Sequence, residues 1–311
     1  MVAIACFSPE VLHQACALLT AGGVVAIPTE TVYGLAADAT NDKAVAKIYA
    51  VKQRPEFNPL IIHCHSAQQA KQYVEFDSRA EKLADIFWPG PITFVLKRRS
   101  DSPLSLLASS GLDTLAIRIP AHPVAQALIK AYSKPLAAPS ANLSQTISPT
   151  SAIDVHASLG NRVSLIIDGG QTRVGVESTI IDLTEENPKI LRPGGIAVEQ
   201  IQSIIGSVEV EKGSRIKAPG MMVRHYAPSV PMRLNVATPE NGELFLGFGH
   251  MESEYNLSLS GNLEEAAANL FRLMRLMDQP GIKGIAVAPI PQHGLGLAIN
   301  DRLTRAATRE G

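Results

Sequence analysis

The sequence predicts an α/β protein built from two units, and three observations carry that prediction. Short apolar strand signals alternate with capped helix signals over the first two-thirds of the chain. An aperiodic stretch from Gly213 to Pro231 follows, rich in Gly, Pro, Lys and Arg. A second, compact alternation of strands and helix then closes the chain. At about 100–200 residues per domain, a chain of 311 residues holds two domains. The irregular spacing of the first alternation argues against a simple doubly wound sheet.

The elements follow in order. Ser8 before Pro9 reads as the cap and first residue of a helix that stops at Gly22-Gly23. Val24–Ile27 is a short buried strand ending at Pro28. Asn41 caps a helix through Val51, and Leu60–His65 is the next strand. Further strands are predicted at Ile92–Lys97, Thr114–Ile119, Leu136–Ala138, Val163–Asp168 and Ser178–Leu183. Helices are predicted at Ser78–Phe87, Pro123–Tyr132, Ser151–Leu159 and Ala197–Ile204. Beyond the aperiodic stretch, Met232–Val236, Glu243–Gly247 and Gly284–Ile290 read as strands. Asn262 caps an apolar-striped helix through Met277, and Ala298–Thr308 is the closing helix.

Hydrophobic residues make up 46% of the chain and charged residues 18%, enough apolar material for a packed core. Lys and Arg total 28 against 29 acidic residues, a net charge of -1, which excludes coating of nucleic acid or anionic membrane by bulk charge. No run of about 18 apolar residues is present to span a bilayer. No Lys or Arg precedes Lys43, so the basic start of a signal peptide is missing. Cys6, Cys16 and Cys64 are odd in number and lack C-x-x-C spacing, which fits reduced thiols. A cytoplasmic protein is expected.

The common nucleotide and hydrolase motifs are absent, the nearest being Gly294-Leu-Gly296 without a third glycine. Polar and basic residues instead cluster at the ends of apolar strands, where an α/β sheet places its ligands. Pro28–Gly34 follows the first strand, Lys52-Gln-Arg54 the next helix, and Asn58-Pro59 leads into a strand. Pro139–Asn142, Glu177–Thr179 and Leu191–Gly195 complete the set. Period-2 alternation puts Thr114, Ala116 and Arg118 on one face, opposite Leu115, Ile117 and Ile119. A charge alternating into an apolar strand needs an anionic partner, a ligand or a structural carboxylate. Lys52 and Arg54 also suit a solvated helix end, Ser140 and Asn142 suit a satisfied turn, and Arg192 suits the last residue before one. His63 and His65 share a strand face, but no third ligand stands at metal spacing, so a neutral histidine bonding substrate or main chain is the better reading. No metal site is expected.

The strings IPTETVYGLAADA, KQRPEFNPLIIH, PSANLSQTISPT, ESTIIDL and LRPGG resemble the YrdC/Sua5 family of L-threonylcarbamoyladenylate synthases. APGMMVRHYAP and LAINDRLTRAA resemble its longer, two-domain Sua5 form, so the likeness spans nearly the whole chain. It implies a YrdC-like twisted mixed sheet with helices around a basic cavity over residues 1–207, a linker or lid over 208–231, and a small Rossmann-like Sua5 domain over 232–311. The implied nucleotidyltransferase reaction joins L-threonine, bicarbonate or CO2, and ATP with Mg2+ into threonylcarbamoyl-AMP and pyrophosphate. Downstream enzymes then transfer the threonylcarbamoyl group to adenosine 37 of tRNAs reading codons that start with A. Neither a membrane nor a stable nucleic-acid complex is required.

Matched to the motifs, Lys52, Arg54, Ser140 and Asn142 fall at the nucleotide and reaction centre. Thr31, His63, Arg118, the main chain of Ala138, and Ser178 fall at threonine positions. Asn58, Thr114, Ser148 and Arg192, with Arg54 and Ser140, fall around ATP, and Tyr226 covers the nucleotide. Two departures are visible: Ala36 and Gln145 stand where the family often has glycine. The alternative is an RNA-binding module acting in translation, against which the net charge of -1 and 5% aromatic content argue. A carbamoyl-transfer maturation factor would need zinc-binding cysteine pairs that this sequence lacks.

Overall fold

In the computed structural model of the chain, residues 3–55, 58–211 and 225–308 are described. The first unit opens with β1 (Ala3–Cys6), α1 (Pro9–Thr20), β2 (Val25–Ile27), β3 (Gly34–Asp38), α2 (Asp42–Lys52) and β4 (Ile61–His63). It continues with α3 (Ala67–Ala70), α4 (Ser78–Phe87), β5 (Ile92–Lys97), β6 (Thr114–Arg118), α5 (Pro123–Tyr132) and β7 (Leu136–Ala137). It ends with α6 (Ala152–Leu159), β8 (Leu165–Asp168), β9 (Thr179–Asp182), β10 (Lys189–Arg192), α7 (Val198–Ile205) and β11 (Glu209–Val210). The second unit holds β12 (Met232–Arg233), β13 (Glu243–Gly247), β14 (Tyr255–Asn256), α8 (Leu263–Met277), β15 (Gly284–Val287) and α9 (Gly296–Ala307).

Local chemistry starts the helices where the sequence says. The Ser8 hydroxyl accepts from the Val11 amide at 3.3 Å with Pro9 in the first turn. Asn41 accepts from the Lys43 and Ala44 amides and so caps α2. Asp77 caps α4, Ser151 and Asp154 form a reciprocal capping box on α6, and Asn262 caps α8.

Among the described residues, eleven strands form one mixed sheet in the order β1-β8-β2-β3-β7-β4-β6-β5-β9-β10-β11. Parallel pairing of β4 with β6 sets His63 opposite Arg118, and antiparallel pairing of β4 with β7 sets it opposite Leu136. The alternation expected along β6 holds. Leu115 and Ile117 enter the largest core cluster, while Ala116 packs with Ile61, Val95, Ile180 and Leu191 on the other face. Arg118 closes that second face.

Five strands escaped the sequence reading: β1, β3, β10, β11 and β14. Gly34, expected at the end of the Pro28–Gly34 ligand loop, instead opens β3 (Gly34–Asp38), which is buried at every residue and so shows no alternation to read. Lys189–Arg192 is a strand, β10, between β9 and β11, and Arg192 is its last residue before Pro193-Gly194-Gly195. Ala3–Cys6 joins the sheet edge beside β8. The sheet also takes in Glu209–Val210, past residue 207. Met232–Val236 is shorter than expected, with only Met232–Arg233 in strand.

The second unit is a four-stranded parallel sheet, β12-β15-β13-β14, packed by α8 and α9. Its core is not self-contained. Val32, Ile147 and Val176 of the first unit are buried in the same cluster as Leu270, Phe271, Met274 and Ile299. Gly175 permits this approach: a Cβ there would lie 2.4 Å from the Ala267 carbonyl oxygen and the Ala268 Cα on α8. The two units therefore bury apolar surface against each other, and the face they share borders the cavity described next.

Candidate active site

Strand ends build the site. His63 ends β4, Arg118 ends β6 and Arg192 ends β10, and all three line one cavity. The loop after β2 adds Thr29, Thr31 and Val32, the turn after β7 adds Ala138, Pro139 and Ser140, and the start of β9 is preceded by Glu177 and Ser178. Arg54 enters from beyond α2, and His225 and Tyr226 close the wall from the chain that leads to the second unit. Three guanidiniums and one carboxylate face this space, a charge balance suited to an anionic ligand.

Each cation is held by main chain or by a buried acid. Arg118 pairs with Glu30 at 2.6 Å, donates to the Thr31 hydroxyl at 3.0 Å and to the Gly90 carbonyl at 3.2 Å. Of the two partners that the sequence left open, the structural carboxylate is thus present, and Arg118 still lines the cavity. Arg54 donates to the carbonyls of Asn58 and Pro59, and burial, with Arg192 nearby, lowers its pKa to about 10. Arg192 donates to the Ser178 carbonyl at 3.2 and 2.9 Å and to the Ser178 hydroxyl at 3.2 Å. His63 faces the Ile61 carbonyl at 3.3 Å, and burial together with Arg118 pulls its pKa down to about 3, so it is neutral. His65 instead turns to the Gln69 side chain, 2.8 Å away.

Other expected residues lie behind the wall. Lys52 was expected at the reaction centre but is fully buried and does not line the cavity. Its ammonium donates at 2.5 Å to the carbonyls of both Ser140 and Asn142, so it holds the turn that presents Ser140. Burial and the neighbouring Arg54 push that ammonium well below its ordinary pKa. Asn142 is likewise turned inward, its amide donating to Thr146. Ser148 does not face the cavity either, because its hydroxyl donates to Glu177 at 2.6 Å. Thr114 begins the strand that Arg118 ends, four residues or ~13 Å away, and pairs with Lys97 instead. Asn58 is fully buried, and neither atom of its amide has a hydrogen-bond partner among the described residues. Most of the Gly213–Pro231 stretch lies outside the described residues, but its Tyr226 is fully buried and lines the cavity.

Glu177 and His225 were singled out in the sequence without a matched site role, and Arg302 was missed. Glu177 is the cavity's carboxylate; burial alone would raise its pKa, yet Arg302, Arg192 and the Ser148 hydroxyl hold it below the usual range. Its position in the ESTIIDL string was the available signal. His225 sits against the Tyr226 ring at 3.9 Å, and burial brings its pKa to about 3. Arg302 reaches Glu177 from α9, and nothing local in the sequence marks that contact. Among the described residues, no group of three or more His, Cys, Asp or Glu could hold a metal ion.

These features define a two-domain α/β protein whose arginine-lined cavity is closed by the chain that leads to the second unit. Residues 17–194 match the family described as Telomere recombination (Sua5/YciO/YrdC), and residues 196–308 match the threonylcarbamoyl-AMP synthase C-terminal domain. The chain belongs to the Sua5/YciO/YrdC family, in the form that carries the C-terminal Sua5 domain. It is 41% identical to the threonylcarbamoyl-AMP synthase of Pyrococcus abyssi, covering 95% of this chain and 94% of the relative. It is also 41% identical to the threonylcarbamoyl-AMP synthase of Bacillus subtilis, over 95% and 92%. The crystal structure of P. abyssi Sua5 complexed with L-threonine superposes with a TM-score of 0.91 at 39% identity, over 99% of this chain and 98% of that one.

Proposed function

We propose that the protein is an L-threonylcarbamoyladenylate synthase, joining L-threonine, bicarbonate or CO2, and ATP into threonylcarbamoyl-AMP with release of pyrophosphate. The observation that carries this reading is the cavity itself, where Thr31, His63, Arg118 and Ser178 share one space with Arg54, Arg192 and Tyr226. The relatives' shared name and the L-threonine bound to the P. abyssi neighbour support it.

The chemistry asks for such a space. The threonine amine attacks CO2 to form a carbamate, which is short-lived in water and lasts longer where the wall excludes solvent. A carbamate oxygen then attacks the α-phosphorus of ATP and pyrophosphate leaves. Arg118 suits the threonine carboxylate through a two-pronged pair. Neutral His63 can accept a hydrogen bond from the amine or hydroxyl, as a charged imidazolium could not. Arg54 and Arg192 are placed to offset the charge that builds on phosphate oxygens. Lys52 contributes by fixing the Ser140 turn against the cavity. Mg2+ would enter with ATP and would offset charge on its phosphates. The product passes to enzymes that modify adenosine 37 of tRNA.

Incubation with ATP, L-threonine and bicarbonate should release pyrophosphate and give a product of threonylcarbamoyl-AMP mass. Equal pyrophosphate release without threonine overturns the assignment.

A further inference from the structure

A side chain of the second unit that the reaction scheme leaves unused touches a residue of the cavity wall. Arg302, on α9, is fully buried and is the largest fully buried side chain among the described residues. Its Nε donates to Glu177 Oε2 at 3.1 Å, across 125 positions of sequence. Its Nη1 donates to the Pro193 carbonyl at 2.5 Å, just after β10 and next to Arg192, and to its neighbour Asp301 at 3.0 Å. Its guanidinium carbon lies 5.4 Å from the centre of the Tyr226 ring, within cation–π range. Phe271 of α8 stacks on the same tyrosine at 5.4 Å.

The geometry around Tyr226 shows what this contact does. Its backbone is held at φ +62°, a left-handed conformation unfavourable for a bulky residue, so its surroundings must impose it. The flanking chain is pinned to both units: the His225 amide donates to the Arg305 carbonyl, and the Ala227 amide to the Gln145 carbonyl. Ser229 bonds the Asp278 carboxylate. The Tyr226 hydroxyl is buried with no hydrogen-bond partner among the described residues, although its ring lines the cavity.

We propose that Arg302 is a positioning residue of the cavity: it holds Glu177 and the Tyr226 ring in place beside Arg54 and Arg192, and so makes ATP binding depend on the second unit. The proposal rests on the synthase reading given above. A planar guanidinium is needed, because three different neighbours are met from three directions by one flat group. Glu177 in turn faces Arg192, Ser148, His225 and Tyr226, so a displaced Glu177 disturbs that side first.

The test uses the full-length chain with Arg302→Met, Arg302→Lys and the double variant Glu177→Gln/Arg302→Met. Binding of ATP and of L-threonine is measured by calorimetry, and turnover by pyrophosphate release. Breaking the buried pair in Arg302→Met should weaken ATP about 10- to 100-fold while threonine affinity shifts less than about threefold. Arg302→Lys should recover part of the loss, since it keeps the charge but not the fork. The double variant should bind ATP better than Arg302→Met, because no buried carboxylate is left unpaired. Equal weakening of both ligands, or unchanged ATP binding in a folded Arg302→Met or Arg302→Lys protein, overturns the proposal. Should the wild type bind ATP without forming product, the synthase reading fails while the ATP-to-threonine comparison still judges Arg302. A wild type that binds neither ligand removes both.

Discussion

Arg118 carries two duties, and single substitutions separate them. Its guanidinium lines the cavity and also neutralises buried Glu30, whose second oxygen accepts from the Ala121 amide. Arg118→Ala should weaken threonine by about 2–4 kcal/mol, the cost of removing one member of a buried charged contact. It should also destabilise the fold by about 3–5 kcal/mol, because Glu30 is left without a counter-charge. Adding Glu30→Gln should restore stability but not threonine affinity; calorimetric titration with denaturant melts distinguishes the two. Gln145 is a second residue with a local consequence. It stands where the family often has glycine, and its φ is +69°. A left-handed non-glycine costs about 1–2 kcal/mol and glycine's extra chain entropy about 0.5–1, so Gln145→Gly should stabilise by about 0.5–1 kcal/mol in a urea melt. Ala36, the other departure, needs no such relief: it is a buried strand residue whose methyl group fills core.

Among the elements, the loop after β10 and the chain joining the units matter most to the site. Gly194 lies so close to the chain entering β9 that a Cβ would sit 2.4 Å from the Glu177 carbonyl oxygen and the Ser178 carbonyl carbon. Gly194→Ala must push that loop away from two cavity residues. Turnover should fall by at least about tenfold, with most of the stability retained because the displacement is local; wild-type turnover would show that the loop yields without moving Glu177. Ending the chain after Glu211 should leave the eleven-stranded sheet intact but uncover Val32, Ile147 and Val176 and remove both Tyr226 and Arg302. Turnover should drop sharply, and a truncated protein with full activity would refute any role for the second unit. The lid expected over residues 208–231 is now a proposal with its own check. Cleavage by trypsin between Glu211 and His225 should slow once ATP and threonine are bound.

Across the whole molecule, buried histidines tie stability to pH. His63 and His225 are each shifted by burial from an ordinary pKa of 6.5 to about 3. Between those values the unfolded chain binds a proton at each site and the folded chain does not, so stability rises with pH through that window and falls as pH drops below 6.5. At pH 5 each histidine should cost about 2 kcal/mol relative to pH 7. The cost should shrink by about one such step when His63 is replaced by Gln in denaturant melts at the two pH values. A wild-type midpoint that does not move between pH 7 and pH 5 would contradict the neutral, buried state of both rings.

The sequence by itself determined the α/β alternation, the capped helix starts and the strand faces, because caps and periodicity act over a few residues. Ser8, Asn41 and Asn262 announce α1, α2 and α8, and alternation along Thr114–Arg118 puts the arginine on the face that meets the cavity. Strings at strand ends likewise marked Thr31, Arg54, His63, Ser140, Ser178 and Arg192, all of which line one cavity. Strand β3 stayed hidden because a strand buried on both faces has no pattern to display. Tertiary structure alone decided the partners. Glu30 is 88 positions from Arg118, and Glu177 is 125 from Arg302. Lys52 looks like a free cation in sequence, yet the fold turns it inward onto the carbonyls of Ser140 and Asn142. A residue's face is set by its neighbours in the chain, but its counter-charge is set by which distant segment shares its low-dielectric surroundings, and no local pattern records that.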